Sequence, residues 1–313
     1  MLRSLPYALV FLGCLALACE RGGLHVGGGA GGGSGFRGGL QIGVGGPLPG
    51  AVRGAVEDEL PHAPVSGEAW VEQVPGTAIE LVMRPVAHPN GTSMWVMERE
   101  VTWNLFDIFV FRLDEKKGKS SPTSDAVTRP TKPYIAVDRG FGHDGYPALS
   151  MSLKGALQFA EWLSAKTGRT YRVPTVAEWD LLCAQAKIPT DDREAYAWCQ
   201  ANSGEVTHPV ASKKADGLGL YDLYGNVGEW CLAGGTVEKP VGVLKGGSFE
   251  TPLGELDCAT SLPYSFMWND SDPQFPKSIW WLADAAFVGM RLICVEPTTP
   301  HEHLKDPKEK THE

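Results

Sequence analysis

Asp222, Asn226 and Glu229 fall within eight residues in the phrase Gly219-Leu-Tyr-Asp-Leu-Tyr-Gly-Asn-Val-Gly-Glu-Trp230. Gly225 sits among them and lets the chain turn sharply. Two carboxylates, an amide and several backbone carbonyls are thereby within reach of one point. Hard oxygen donors at irregular loop spacing suit calcium, although the twelve-residue ligand order of an EF-hand is missing. The same residues also suit a structural role, with Asp222 and Glu229 capping turns and Asn226 holding a left-handed backbone position. Spacing alone favours the structural role. Cysteine is the second reactive type. There are seven, without a C-x-x-C pair, so neither a zinc ribbon nor thioredoxin-like chemistry is indicated. His301, His303 and His312 near the end suit a frayed polar terminus better than a metal tail.

The elements that position these residues are short. Ala78–Met83, Ser93–Met97 and Glu100–Trp103 read as strands. Leu105–Phe111 fits strand or helix, and the spacing of Phe106, Phe109 and Val110 suits a helix face. Ser152–Gly168 has Leu153, Leu157, Ala160 and Leu163 at helical spacing, with Gly168 as a stop. Thr175 and Glu178 form a capping box opening a second helix, along which Trp179, Leu182 and Cys183 face inward. Beyond Ala186 the pattern is turns and short strands. Alternating strand and helix units are absent, which excludes doubly wound and barrel folds.

Composition sets the frame. Of 313 residues 43% are hydrophobic and ten are Trp, enough for a sizeable core. The formal charge of −9 leaves no broad cationic surface, which disfavours nucleic-acid binding. Residues 1–19 (MLRSLPYALVFLGCLALAC) place one arginine before an apolar run too short to span a bilayer, the layout of a secretory signal. Leu15–Cys19 resembles a bacterial lipobox, so Cys19 is the expected lipidation site; an ordinary cleaved signal is the alternative. Half of residues 22–50 are glycine, and residues 20–68 read as a flexible linker. A globular domain follows over 69–295, then a disordered polar tail over 296–313.

Three ordered phrases carry a family resemblance: Tyr171-Arg-Val-Pro-Thr-Val-Ala-Glu-Trp179, Gly219–Trp230, and Lys245-Gly-Gly-Ser-Phe249 followed by Val288-Gly-Met-Arg-Leu292. Together they resemble the formylglycine-generating enzyme or sulfatase-modifying factor family. Glu100–Trp103, Phe159–Leu163 and Asn202 also fall where that family has counterparts. The resemblance implies a compact α+β domain, related in shape to C-type lectins, with short strands, a few helices and long ordered loops. It assigns Asp222 and Glu229 as side-chain ligands and Gly225 and Val227 as carbonyl ligands of one structural calcium. Arg172, Trp179 and Arg291 match core motif positions. A second calcium loop around Asn202 lacks an evident acidic member, and Gly228 replaces the tryptophan of the family's N-V-W-E-W.

Catalytic members oxidise a substrate cysteine to formylglycine with dioxygen and a copper held by two cysteines spaced C-x-x-x-x-C after the G-G-S-W/F core. Soft thiolates select Cu(I). Here Thr251 and Leu256 stand at those two places, with Cys258 two positions beyond the second, so copper is not expected. Cys183, Cys199, Cys231 and Cys294 read as buried thiols, with a Cys199–Cys231 disulfide as one option in an oxidising compartment.

The resulting expectation is a non-catalytic module of an exported lipoprotein in the bacterial cell envelope, periplasmic or surface-exposed. It would bind a protein, peptide or glycan and reach the membrane through its N-terminal lipid. Ser265–Asp272 and Ile279–Leu282 are the candidate groove lining, against the reading in which their tryptophans fill the core. The alternatives are an active copper oxidase with a displaced thiol site and a purely architectural envelope protein.

Overall fold

The computed structural model describes residues 67–89, 91, 93–115 and 129–295. Cys19, the expected signal, nearly all of the linker and the tail lie outside the described residues. The chain parts into Met1–Val56 and Glu57–Glu313, and everything described belongs to the second part.

Two sheets of short strands carry the domain. The first has β1 (Trp70–Gln73), β2 (Glu80–Ala87), β3 (Ser93–Met97), β4 (Thr170–Arg172) and β9 (Ile293–Val295). Their spatial order is β1-β2-β3-β9-β4, and all neighbours are antiparallel. The second sheet has β5 (Gly228–Gly235), β6 (Pro240–Lys245), β7 (Ser261–Pro263) and β8 (Val288–Gly289) in the order β7-β6-β5-β8. Its β5–β8 pair is parallel and the others are antiparallel. The final strand thus pairs with both β3 and β4, and the motif phrases contact one another through Trp179, Glu229 and Arg291. This is the expected α+β architecture.

Among the described residues three α-helices complete it: α1 (Trp103–Val110), α2 (Leu153–Thr167) and α3 (Val176–Ala186). Helix α1 resolves the ambiguity at Leu105–Phe111, because Leu105, Phe106, Phe109 and Val110 all bury on one face. Phe106 and Phe109 meet Phe159 of α2 edge-on at 5.3 and 5.6 Å between ring centroids. Helix α2 starts at Ser152, whose hydroxyl accepts the Gly155 N–H, and stops at Gly168 in the left-handed conformation. The expected strand at Glu100–Trp103 does not form. Thr102 instead precedes the first turn of α1, and the Glu100 carboxylate leaves the sheet to accept the Val227 N–H and an Asn226 amide proton.

The capping box of α3 forms as expected. Thr175 Oγ1 accepts the Glu178 N–H, and Glu178 Oε2 accepts the Thr175 N–H at 2.8 Å. Arg172 adds a two-pronged pair, 2.7 and 2.6 Å from the two carboxylate oxygens. Burial works to raise the Glu178 carboxyl, but Arg172 and the cap outweigh it and hold it down at about 2, from an ordinary 4.5. A depressed folded value stabilises the fold above the unfolded value and ceases to do so as pH falls through the folded one. The melting temperature should therefore drop between pH 4.5 and 2 by more in the native chain than in Glu178→Gln. Gln keeps the cap but not the ion pair, so the two melting curves should lie apart above pH 5 and converge in acid, by about 1 kcal/mol. Parallel curves throughout would remove the pair from the stability balance.

Candidate functional site

The residues of the Gly219–Trp230 phrase are brought together, and they gather around an arginine. Arg291, between β8 and β9, is 1% exposed. Its Nε–H donates to Glu229 Oε1 at 2.7 Å, and its two terminal nitrogens donate to the carbonyls of Met97 and Tyr221 at 3.0 and 2.7 Å. The second oxygen of Glu229 accepts the indole N–H of Trp179 at 3.0 Å. One guanidinium thereby ties the end of β3, the motif loop and β5, while α3 is joined through Trp179. Asp222 and Asn226 both have positive φ, at 55° and 50°, the left-handed backbone expected of a structural Asn. Gly225 is required as glycine, since a Cβ there would run into the Trp198 carbonyl.

The other two carboxylates fill out the cluster. Asp222 Oδ2 accepts the Ala211 N–H at 2.7 Å, and its Oδ1 is buried with no hydrogen-bond partner. Burial pushes Asp222 up to about 6. Burial and then the Asp222 charge push Glu100 well above the ordinary carboxylate range. Burial also raises Glu229, with Arg291 opposing it. Glu100 is the member hardest to see in the sequence; its signal is a carboxylate closely following the apolar run Met94–Met97.

Calcium meets this arrangement poorly. Both oxygens of Glu229 are committed, one of them to a cation; the Gly225 N–H donates to the Gly246 carbonyl and the Val227 N–H to Glu100 Oε1. Only Asp222 Oδ1 is an orphaned buried oxygen in this cluster. As folded, neither oxygen of Glu229 is open to a cation while Trp179 and Arg291 hold it. Asn202, at the place of the second loop, instead accepts the Cys199 N–H and donates to the Ala197 carbonyl.

The copper place is closed. After β6 the chain turns through Gly246 and Gly247, both at positive φ. Thr251 Oγ1 accepts the Ser248 N–H at 2.9 Å, so its hydroxyl serves the turn. Leu256 follows the short 3-10 turn Leu253–Glu255 and is fully buried. It packs in a cluster with Trp179, Leu223, Tyr224 and Cys231. Cys258 is bonded to Cys183 of α3 in a disulfide spanning 75 residues, with Cα atoms 5.6 Å apart. The Tyr224 hydroxyl lies 3.0 Å from Cys183 Sγ. Lys245 Nζ donates to the Cys258 carbonyl at 2.7 Å and pairs with Asp180 at 3.0 Å. This corrects the alternative Cys199–Cys231 pairing: those two, like Cys294, are buried and lie outside the disulfide. Cys183, expected as an inert buried thiol, is the partner of Cys258. A hydroxyl, an isobutyl group and a sulfur already in a disulfide do not fit Cu(I).

A separate groove of about 850 Å3 lies at the opposite end of β6. Leu153, Leu157, Val241, Tyr264 and Ile279 are among its walls, with Lys154, Glu161 and Glu238 at its polar margin. Trp268, Trp280 and Trp281 of the expected groove segments are buried and belong to the main core, whereas Phe266, Met267 and Ile279 are exposed.

The sequence profile of the sulfatase-modifying factor enzyme 1-like domain matches residues 64–293. The chain belongs to this family. It is 28% identical over 139 residues to the serine/threonine-protein kinase pkn1 of Chlamydia caviae, covering 38% of this chain and 21% of the kinase. To the chaperone protein LppX of Paenibacillus barcinonensis it is 27% identical over 124 residues, 32% of this chain and 42% of that protein. The chain therefore spans well under half the length of these curated relatives. Among solved structures, Treponema denticola variable protein 1 superposes with a TM-score of 0.50 at 19% identity, over 74% of this chain and 99% of its own, a likeness of fold. This sulfatase-modifying factor domain has the family's fold and motif loop without a ligand set for the family's copper-dependent oxidation.

With Glu229 held by Arg291, the melting temperature should be the same in millimolar calcium and in chelator. A calcium-dependent rise, which a bound ion would add as RT ln(1 + [L]/Kd), would instead mean that Asp222 Oδ1 recruits the ion and Arg291 yields Glu229 to it.

Proposed function

We propose that this chain is an exported, lipid-anchored binding module in which the sulfatase-modifying factor fold is kept and its chemistry is lost. The closed copper place carries this reading: Thr251 is a turn cap, Leu256 is core, and Cys258 is covalently engaged. Two thiolates on one ion are what the family reaction requires, and the thiols that share the Leu256 cluster outside the disulfide, Cys199 and Cys231, are fully buried. Burial, with Glu229 next, pushes the Cys231 thiol well above its ordinary range, which disfavours the thiolate.

Other observations favour the envelope location. A disulfide suits an oxidising compartment, and the apolar residues 5–18 followed by Cys19 suit export and lipidation. No helix among the described residues is long and apolar enough to cross a membrane; in this reading the membrane attachment is through Cys19. The relatives named for kinase and chaperone activities share only part of their length with this chain, as suits a module joined to different functions. The occupant in this reading is a protein, peptide or glycan, and the acidic chain of net charge −9 is not matched to nucleic acid. Calcium has no required part in it.

The test is chemical. The protein, with its disulfide intact, is given one equivalent of Cu(I), dioxygen and a cysteine-bearing sulfatase peptide. Neither tight one-to-one copper binding nor peptide aldehyde should appear by mass spectrometry. Thr251→Cys with Leu256→Cys should gain copper binding, because two thiolates then return to the motif spacing. Aldehyde formation by the native chain would restore the competing reading, an oxidase with a displaced thiol site.

A further inference from the structure

Exposed apolar side chains are not spread evenly over the described surface. Of the twelve large hydrophobic residues that are exposed, eight lie in two segments, Val237 and Val241 in one and Leu262, Tyr264, Phe266, Met267, Phe275 and Ile279 in the other. The first segment is the hairpin joining β5 to β6, and the second runs from β7 through the loop that follows it. They are neighbours in space. Strand β7 pairs with β6, and Val237, Val241, Tyr264 and Ile279 border the same groove. Phe266 and Met267 follow Tyr264 in a short 3-10 turn whose Trp268 is anchored in the core. The loop bearing Phe275 is closed at its base by Lys277, which donates to the Asp270 carbonyl, and by the Ser278 N–H donating to Asp272.

Residues whose exposure is full stand at the tips: Val237 at 95% and Phe275 at 102%. Neither contributes to the core, and this gathering of exposed apolar side chains on two segments that share one groove suits an interaction surface. Projecting single side chains on separate loops suit a soft, deformable partner better than a fitted protein pocket. The surrounding charges are mixed, with Lys154, Lys239 and Lys277 set among Glu161, Glu238 and Asp270. With a net charge of −9, the match is to a zwitterionic interface and not to an anionic one.

We infer that this face, the β5–β6 hairpin together with residues 262–279, rests on a zwitterionic lipid surface, its apolar tips entering the headgroup boundary. The choice of a bilayer as occupant rests on the lipid-anchor reading of Cys19. A tether of that kind raises the effective concentration of membrane beside the domain, so a shallow contact of a few side chains is enough. The domain would then be held in one orientation, with the closed copper place at the other end of β6 turned toward its partners.

The full chain is reconstituted with phosphatidylcholine vesicles, and flotation and residue-resolved hydrogen exchange are measured together. Flotation of the native chain and of Cys19→Ala reads the anchor, whereas exchange at 236–241 and 262–279 reads the face. Native chain on vesicles should show about tenfold slower exchange at these two segments and no change at α3. The triple change Val237→Glu, Phe266→Glu and Phe275→Glu, all at exposed positions, should abolish that protection with the melting temperature unaltered. A chain that floats through its N-terminus yet shows no protection at these segments overturns the proposal and leaves the anchor reading standing. Protection that appears without vesicles and grows with protein concentration also overturns it, in favour of a second copy of the chain. If Cys19→Ala floats like the native chain and keeps the protection, the face is upheld and the anchor fails.

Discussion

A buried guanidinium is costly to desolvate, and this fold is arranged so that Arg291 is compensated from three directions. Its donors end on Glu229, Met97 and Tyr221, which belong respectively to the second sheet, the end of β3 and the motif loop. Three carboxylates lie around one cation, and burial shifts each of them toward the protonated state. Such a cluster tolerates little displacement: an ion pair removed from water holds only with near-ideal geometry and satisfied remaining groups. The left-handed backbone at Asp222 and Asn226 and the turn of Glu100 toward Asn226 and Val227 accompany the gathering of these groups at one point. At the position that the family resemblance assigns to a metal, Glu229 is held by a cation that the chain itself supplies.

A second constraint works at the other end of α3. Leu256 and the Cys183–Cys258 disulfide pin the β6–β7 connection onto the helix, with Tyr224 beside the sulfurs and Lys245 reaching the Cys258 carbonyl. Where a catalytic relative needs an open pair of thiolates, this chain has a packed side chain and a closed covalent bond. Thr251 and Leu256, which lack copper-ligating sulfur, are used instead to hold the turn and to fill the core. In the role proposed above, a rigid scaffold would carry its recognition residues on loops, the usual architecture of a binding module.

What can be seen in the sequence divides by range of interaction. The capping box of Thr175 and Glu178 and the start and stop of α2 at Ser152 and Gly168 are legible because each is settled within four residues or by one backbone conformation. The motif phrases locate the cluster, including Arg291. Glu100–Trp103 reads locally as strand because what bends it, the bonds to Asn226 and Val227, comes from positions 126 and 127 residues away. Cysteine pairing is equally hidden: nothing local to Cys183 or Cys258 announces a partner 75 residues off. The tryptophans of the 265–282 region look alike in sequence, and only packing separates Trp268, Trp280 and Trp281 in the core from their exposed neighbours Phe266 and Met267.

The dependence of the fold on its internal cation is measured most directly by a double-mutant cycle on Arg291→Met and Glu229→Leu, by denaturant unfolding in chelator. Each single change strands a buried charge and should cost about 3–5 kcal/mol. The double change, which removes both charges, should recover a large part of that loss, giving a coupling of about 2 kcal/mol or more. Single costs that simply add, to within about 0.5 kcal/mol, would contradict the central role of the Arg291–Glu229 pair in holding this fold together.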